Sequence, residues 1–195
     1  MEVERHPLKP FLPENAKVLF LGSFPPPKKR WSMEFYYPNY INDHWRILGE
    51  VFFGDKNHFV NLEQRCFRKE AIVAFLQERG IAYYDTAEAV IRLKENASDA
   101  FLEVVEATDV RGLLSKLPRC SALITTGEKA CVTLCATFGI DTLPKPGTST
   151  LLPAQLNAAG EPVRLWRLPS SSRAYPLAFG AKVEAYRAMF KEVLL

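Results

Sequence analysis

Apolar and polar positions along this chain fall into blocks whose period changes, and each change marks an element boundary. Lys17 to Leu21 is a short apolar run that stops at Gly22-Ser23. Too short for a helix, it predicts a buried strand that runs into a loop. Pro25, Pro26 and Pro27 carry that loop on to about Ile41. Irregular stretches of that length are uncommon in compact domains and are often functional. Asn42 then suits a helix N-cap with Asp43 in the first turn. Trp45, Leu48, Val51 and Phe52 follow at helical spacing. A second helix is predicted from about Arg68 to Arg79, stopped by Gly80. Ile81 to Tyr84 reads as a strand ending at Asp85-Thr86. Val105 to Leu117 reads as helical in part, with Asp109 as its cap or first-turn acid. Ala122 to Ile124 is a strand closing at Thr125-Thr126-Gly127, and Glu128 to Phe138 a helix ended by Gly139. Pro144 to Gly160 is rich in turn formers and predicts a surface excursion. Val163 to Leu168 is the last strand, closed by Pro169-Ser170-Ser171-Ser172, and Ala178 to Leu194 the last helix.

Strands that alternate with helices imply an α/β three-layer sandwich: a central, mostly parallel four-stranded sheet covered by helices on both faces. A chain of 195 residues suits one domain spanning residues 1–195. Ligands of such sheets sit outside the carboxyl ends of the strands. That rule draws Gly22 to Pro27, Asp85-Thr86, Thr125 to Lys129 and Pro169 to Tyr175 around one crevice.

The net charge of +3 permits a polyanionic partner without demanding one, so the distribution of charge matters more. Lys28-Lys29-Arg30 is the densest basic run, in the proline loop beside Trp31, Phe35, Tyr36, Tyr37, Tyr40, His44 and Trp45. Basic residues there are either a solvated turn or phosphate contacts. The aromatics either pin the loop or stack on a nucleobase, whose flat face gains ~1–3 kcal/mol on a ring. Cys131 and Cys135 can share a helix face, but no C-x-x-C pair or histidine cluster accompanies them, so packing is expected rather than a metal or cofactor. No apolar run of ~18 residues suggests a membrane span. The polar start Met1-Glu2-Val3-Glu4-Arg5 does not read as a secretory signal, so a cytoplasmic location is the default expectation. A G-x-S-x-G elbow, a phosphate-binding P-loop and a dinucleotide fingerprint are all missing, which argues against the common α/β hydrolases and nucleotide enzymes.

Gly22-Ser23-Phe24-Pro25, then Tyr36-Tyr37 and Asn42-Asp43-His44-Trp45, resembles the opening of the family-6 enzymes of the uracil-DNA glycosylase superfamily, the hypoxanthine-DNA glycosylases. Their pattern runs G-S-x-P-G, then Y-Y-x-H-P-x-N-x-F-W. Leu168-Pro169-Ser170-Ser171-Ser172-Arg173-Ala174 is similar to their L-P-S-T-S-P-A motif. Ile124 to Ala130 is similar to a segment of the mismatch-specific uracil/thymine enzymes, and Tyr84-Asp85 falls where the family has a base-facing strand end. This chain departs from the pattern at Pro26, at Asn39-Tyr40 in place of His-Pro, at His44 in place of Phe, and at Arg173 in place of Pro.

The resemblance implies a monomeric, cofactor-free DNA-repair glycosylase that flips a deaminated base, uracil or hypoxanthine, out of DNA and hydrolyses its N-glycosidic bond. Its DNA partner would be damaged or mismatched, double- or single-stranded. Asn42 matches the asparagine that places the water, and an amide acts there by orientation. Asp43 is the rival, since a carboxylate can act as a true base. Gly22, Ser23 and Phe24, with Tyr36 and Tyr37, would bind the base, and Thr126 would read its pairing edge. Lys28, Lys29, Arg30 and Lys129 would hold phosphates with Ser170, Ser171 and Ser172, while Arg173 or Tyr175 would enter the gap in the duplex. For each there is a plain structural alternative: a cap for Asn42, Thr126 and the serines, a favourable first-turn charge for Asp43, packing for Phe24 and His44. A different reading keeps the fold and drops the chemistry, leaving a catalytically weak or inactive nucleic-acid- or nucleotide-binding protein.

Overall fold

The computed structural model describes residues 2–94 and 99–194, apart from the side chains of residues 153–156. The elements in chain order are β1 (Val3–Arg5), β2 (Val18–Gly22), α1 (His44–Phe53), β3 (Val60–Asn61), β4 (Cys66–Phe67), α2 (Lys69–Arg79), β5 (Ile81–Asp85), β6 (Ala87–Arg92), β7 (Leu102–Ala107), α3 (Val110–Ser115), β8 (Ala122–Thr126), α4 (Glu128–Phe138), β9 (Thr148–Leu156), β10 (Pro162–Leu168) and α5 (Phe179–Val193).

The main sheet has the order β5-β2-β8-β10-β9. Its first four strands are mutually parallel, and β9 is antiparallel to β10 at the edge. The four predicted strands are therefore present, and a fifth joins them. Successive strand residues point to opposite faces, and every residue of β2, β5 and β8 is buried. That explains why these segments read as unbroken apolar runs rather than as alternating ones.

The expected excursion over Pro144 to Gly160 is corrected to an edge hairpin. Thr148 to Leu156 pairs with β10, and turns are left before the strand at Pro146-Gly147 and at the hairpin tip, Asn157 to Gly160. There the Asn157 side chain accepts the Ala159 and Glu161 N–H groups at 3.0 and 2.9 Å, a local side-chain-to-backbone turn. A second, antiparallel sheet of order β1-β6-β7 went unpredicted, as did the short pair β3-β4. The helix expected in part over Val105 to Leu117 is shorter than the window, because β7 takes its first residues. Asp109 does cap α3, accepting the Gly112 N–H at 2.9 Å.

The start of α1 is also corrected. The helix begins at His44, so Asp43 rather than Asn42 holds the N-cap position, and Asp43 makes no side-chain capping bond. Asn42 instead accepts the His44 N–H on Oδ1 at 2.9 Å. Gly80 and Gly139 end α2 and α4 in left-handed conformations, as their positions predict. Helix α1 packs against α5, with the Phe52 and Phe190 ring centroids 4.8 Å apart. Cys131 and Cys135 face each other within the core, Sγ to Sγ 3.9 Å. Among the described residues no group of His, Cys, Asp or Glu side chains could hold a metal ion, and no helix is long and apolar enough to cross a membrane.

Candidate active site

Strand register builds the site. Gly22 pairs with Asp85, Leu21 with Thr125, and Thr126 with Leu168. The carboxyl ends of four parallel strands thus finish level. The loops that leave them surround a cavity of about 830 Å³, within the ~300–1,000 Å³ range of small-ligand sites. Gly22, Ser23, Phe24, Arg30, Tyr36, Tyr37, Asn42, Thr126, Lys129, the three serines, Arg173 and Tyr175 all line it. Asp43, Lys28 and Lys29 do not. Lys28 is turned to Glu34 at 2.6 Å and over the Trp31 ring at 3.8 Å.

The aromatic loop forms one wall, and most of its rings are already committed to protein partners. Tyr36 is buried, gives its hydroxyl to the Lys9 carbonyl at 2.7 Å and stacks on Tyr83. Burial, with Asp85 nearby, holds its phenol well above the usual range. Tyr37 stacks on His44 with ring centroids 3.7 Å apart and meets the Thr126 hydroxyl at 2.6 Å. Its φ of 48° is a left-handed conformation that a non-glycine side chain adopts at a cost. The stack and the hydroxyl contact hold it there, so the loop is tied to the end of β8. Phe24 packs with Ala87, Val90 and Leu102 of the second sheet, with its edge towards His6.

His44 lies at the bottom of this wall, fully buried, with Nε2 2.7 Å from the Tyr83 hydroxyl. Burial pushes its imidazole down to about 3, so it is neutral at pH 7 and packs rather than transfers protons. The unfolded chain protonates this histidine near ~6.5, whereas the fold resists protonation until about pH 3. The stability that neutral burial gives is therefore present above pH 6.5 and lost as pH falls towards 3. His44→Phe should flatten the decline of the thermal midpoint between pH 6.5 and 4. Parallel declines for both proteins would show that His44 is not the group responsible.

Opposite this wall lies the serine turn. Ser171 is buried, and its carbonyl accepts the Asp43 N–H at 3.1 Å. Arg173 Nε donates to Asp43 Oδ1 at 2.8 Å while half of the arginine side chain stays exposed. Lys182 of α5, only 2% exposed, donates to the Ser172 carbonyl at 2.6 Å, and burial lowers its ammonium below the usual range. Two of these bonds clamp the start of α1 to the serine turn and the third ties that turn to α5, so the amide of Asn42 and the serines share one mouth.

The floor holds Asp85, which the sequence placed at the crevice, together with groups that the sequence did not single out. Asp85 is buried, and its Oδ2 lies 2.8 Å from His6 Nε2. Asp99 also lines the cavity. Burial raises its carboxyl above the usual range, against the pull of a Ser23 hydrogen bond and of Lys129 and Arg92. A Cβ on Gly22 would lie 2.4 Å from Asp85 Oδ1 and 3.3 Å from the Tyr37 hydroxyl. Glycine is needed at this position for space and not for a left-handed φ. The G-S opening marked the glycine. His6 and Lys182 gave no signal, because each meets its partner only in three dimensions.

No family model matches the chain, and no curated protein matches it. A solution NMR structure from Methanosarcina acetivorans, of a protein provisionally designated a uracil DNA glycosylase, matches over 98% of this chain and 99% of that one. The TM-score is 0.63 and the sequence identity 22%. This likeness shows a shared fold. The chain therefore carries its cavity on the same arrangement of sheet and helices as that protein.

Proposed function

We propose that the chain is a monofunctional DNA N-glycosylase that removes a deaminated base, uracil or hypoxanthine, and leaves an abasic site. The observation that carries this reading is the convergence of the Gly22 turn, the Asn42 amide and the Ser170-Ser171-Ser172 turn on one cavity large enough for an extrahelical base. The shared fold with a protein designated a uracil DNA glycosylase supports it. The three-layer sandwich with both sheet faces covered, the single domain and the cytoplasmic setting belong to the same reading and rest on the order of elements, the chain length and the polar start, and the monomeric state rests on the sequence resemblance.

In this mechanism the flipped base enters between Phe24 and the Tyr37 wall, near the backbone of Gly22 and Ser23 and the Thr126 hydroxyl. Asn42 holds a water below the sugar. As the C1′–N bond lengthens, its electron pair moves onto the base and positive charge spreads over the sugar ring. The water oxygen bonds to C1′, one water proton goes to solvent or to the departing base, and the products are the free base and a hydroxylated C1′. Fixed dipoles at the Gly22 turn stabilise the charge that develops on the base. Asp43 suits a clamp better than a base, since Arg173 holds its carboxylate and it lies off the cavity lining.

Arg30, Lys129 and the serines line the mouth, where they would meet phosphates. Arg173 is the exposed cation of the clamp. Arg173→Ala should weaken duplex binding and lower the salt dependence of log K by about one ion. An unchanged slope in titrations from low to moderate salt would remove Arg173 from the phosphate contacts.

The decisive test is incubation with oligonucleotides carrying uracil, hypoxanthine or a mismatch, followed by hot alkali, which breaks the strand wherever a base has been lost. A second reading, binding without cleavage, draws on one observation: Asn42 Oδ1 and the Asp43 carboxylate both already have protein partners. Retention of damaged duplex without alkali-labile sites would favour it.

A further inference from the structure

We propose that Asp99 is the acid that hands a proton to the departing base, and that the β6–β7 hairpin delivers it to the cavity. The inference rests on the glycosylase reading and adds a catalytic residue to it. Asp99 belongs to none of the segments that leave the main sheet. It reaches the cavity from the turn between β6 and β7, in the second sheet.

That hairpin is docked on the turn after β2. Ala87, Val90 and Leu102 pack on Phe24. Arg92 Nη2 donates to the Pro25 carbonyl at 3.0 Å. Arg92 is held in turn by Glu4 of β1, through Nε at 2.9 Å and Nη2 at 3.1 Å. The Leu93 N–H donates to the Phe101 carbonyl at 2.8 Å, which closes the hairpin across the turn that carries Asp99. Lys94 Nζ lies over the Phe101 ring at 4.0 Å. Asp99 itself hydrogen-bonds with the Ser23 side chain, next to Gly22.

The charges around it decide what this carboxyl can do. Asp85 of β5 faces it with like charge and already has His6 as its own partner at 2.8 Å. The Tyr37 phenol of the aromatic loop also lies within the field of Asp99. Lys129 of α4 and Arg92 of β6 attract its ionised form. Burial and Asp85 outweigh them, and both favour the neutral acid. The Gly22 turn is where negative charge develops on the base. An ionised carboxylate beside that charge would oppose it, whereas a carboxylic acid can neutralise it. As the C1′–N bond lengthens, its electron pair moves onto the base, and a ring nitrogen or carbonyl oxygen of the base takes the Asp99 proton. The base leaves neutral. Asp99 is left as a carboxylate, which Ser23, Lys129 and Arg92 stabilise. The water whose oxygen bonds to C1′ gives up one proton, and that proton restores the acid.

The test compares single-turnover release of uracil and 5-fluorouracil from duplexes by the wild type, Asp99→Asn and Asp99→Glu, across roughly pH 5 to 8. Asparagine keeps the shape and can still bond Ser23, but it has no proton to give. Wild-type uracil release should fall with rising pH as Asp99 loses its proton. Asp99→Asn should flatten that fall and slow uracil release at least ~100-fold at the acid end. 5-Fluorouracil leaves more readily as an anion and needs the acid less, so its loss should be smaller by roughly fivefold or more. Asp99→Glu should regain the pH dependence. A purely structural role would slow both bases equally and leave the pH dependence in place. That outcome would overturn the proposal and leave the glycosylase reading standing. A second measurement needs no variant and no turnover: the carbon-13 signal of the Asp99 carboxyl in the free protein should titrate above the ordinary aspartate value of about 3.9. Titration at or below that value would also overturn the proposal alone. If the wild type releases no base from any duplex, the glycosylase reading fails and this acid fails with it.

Discussion

Asn42→Ala should lower base release at least ~100-fold, the scale on which a misplaced reacting group affects rate, with duplex affinity nearly unchanged. Affinity survives because Arg30, Lys129 and the serine turn, which line the mouth, are untouched. The structure also shows why alanine alone is an incomplete probe. Asn42 Oδ1 accepts the His44 N–H at 2.9 Å, so alanine removes a local turn at the start of α1 as well as the proposed water ligand. A lost bond of that kind costs ~1 kcal/mol of stability, too little to unfold the protein. Asn42→Asp separates the two effects. Its carboxylate can still accept the His44 N–H, which restores the turn, but it no longer offers an amide N–H₂ to the cavity. Single-turnover kinetics on the three proteins, with binding measured in parallel, read this out. If alanine retains activity while Asp43→Ala abolishes it, the water belongs to Asp43, and the Arg173 ion pair would have to open during turnover.

The parts of this site legible in the sequence are those in which chemistry and local structure coincide. Gly22, Thr126 and Ser170 each follow a short apolar run, and the run alone places them at a strand end. Parallel pairing then brings those ends level whatever the loops contain. The antiparallel sheet was illegible for a related reason. In β7, Val104 and Val105 are adjacent, which breaks the alternation that identifies a half-buried strand, and only Leu102 of its residues is fully buried. In β9 the polar start Thr148-Ser149-Thr150 suits an edge strand but reads as a loop. The His6–Asp85 pair spans 79 positions of sequence, and no local pattern connects a histidine in a polar N-terminal stretch with an aspartate at a strand end. The aromatic loop misled in a different way. Its residue types suit base stacking, but Tyr36 and Tyr83, and Tyr37 and His44, stack on each other. Much of the aromatic surface therefore fixes the loop and leaves Phe24 and the exposed part of Tyr37 to meet a ligand.

Trp45 tests that division between scaffold and site. The resemblance aligns it with a family tryptophan, and the structure gives it no exposure at all. Its Nε1–H donates to the Tyr36 carbonyl at 3.0 Å, and its ring lies 4.9 Å from His44 and 5.4 Å from Tyr83. Trp45→Ala should cost about 3–5 kcal/mol through lost burial and the cavity left behind, a large share of a net stability of ~5–15 kcal/mol. With ~2–4 °C per kcal/mol for a chain of this size, the thermal midpoint should fall by roughly 6–20 °C, measured by circular dichroism. Trp45→Phe keeps most of the volume but leaves the Tyr36 carbonyl without this donor, so it should fall in between. The consequence for the site is specific. Tyr36 and Tyr37 form the wall, and Trp45 ties the backbone of Tyr36 to α1, the helix that begins directly after Asn42 and Asp43. Below its lowered midpoint the alanine variant should therefore show loosened control of Asn42, with base release reduced more than duplex binding. A stable Trp45→Ala protein with wild-type activity would mean that the loop is held by Tyr37, Thr126 and the Asp43–Arg173 clamp alone.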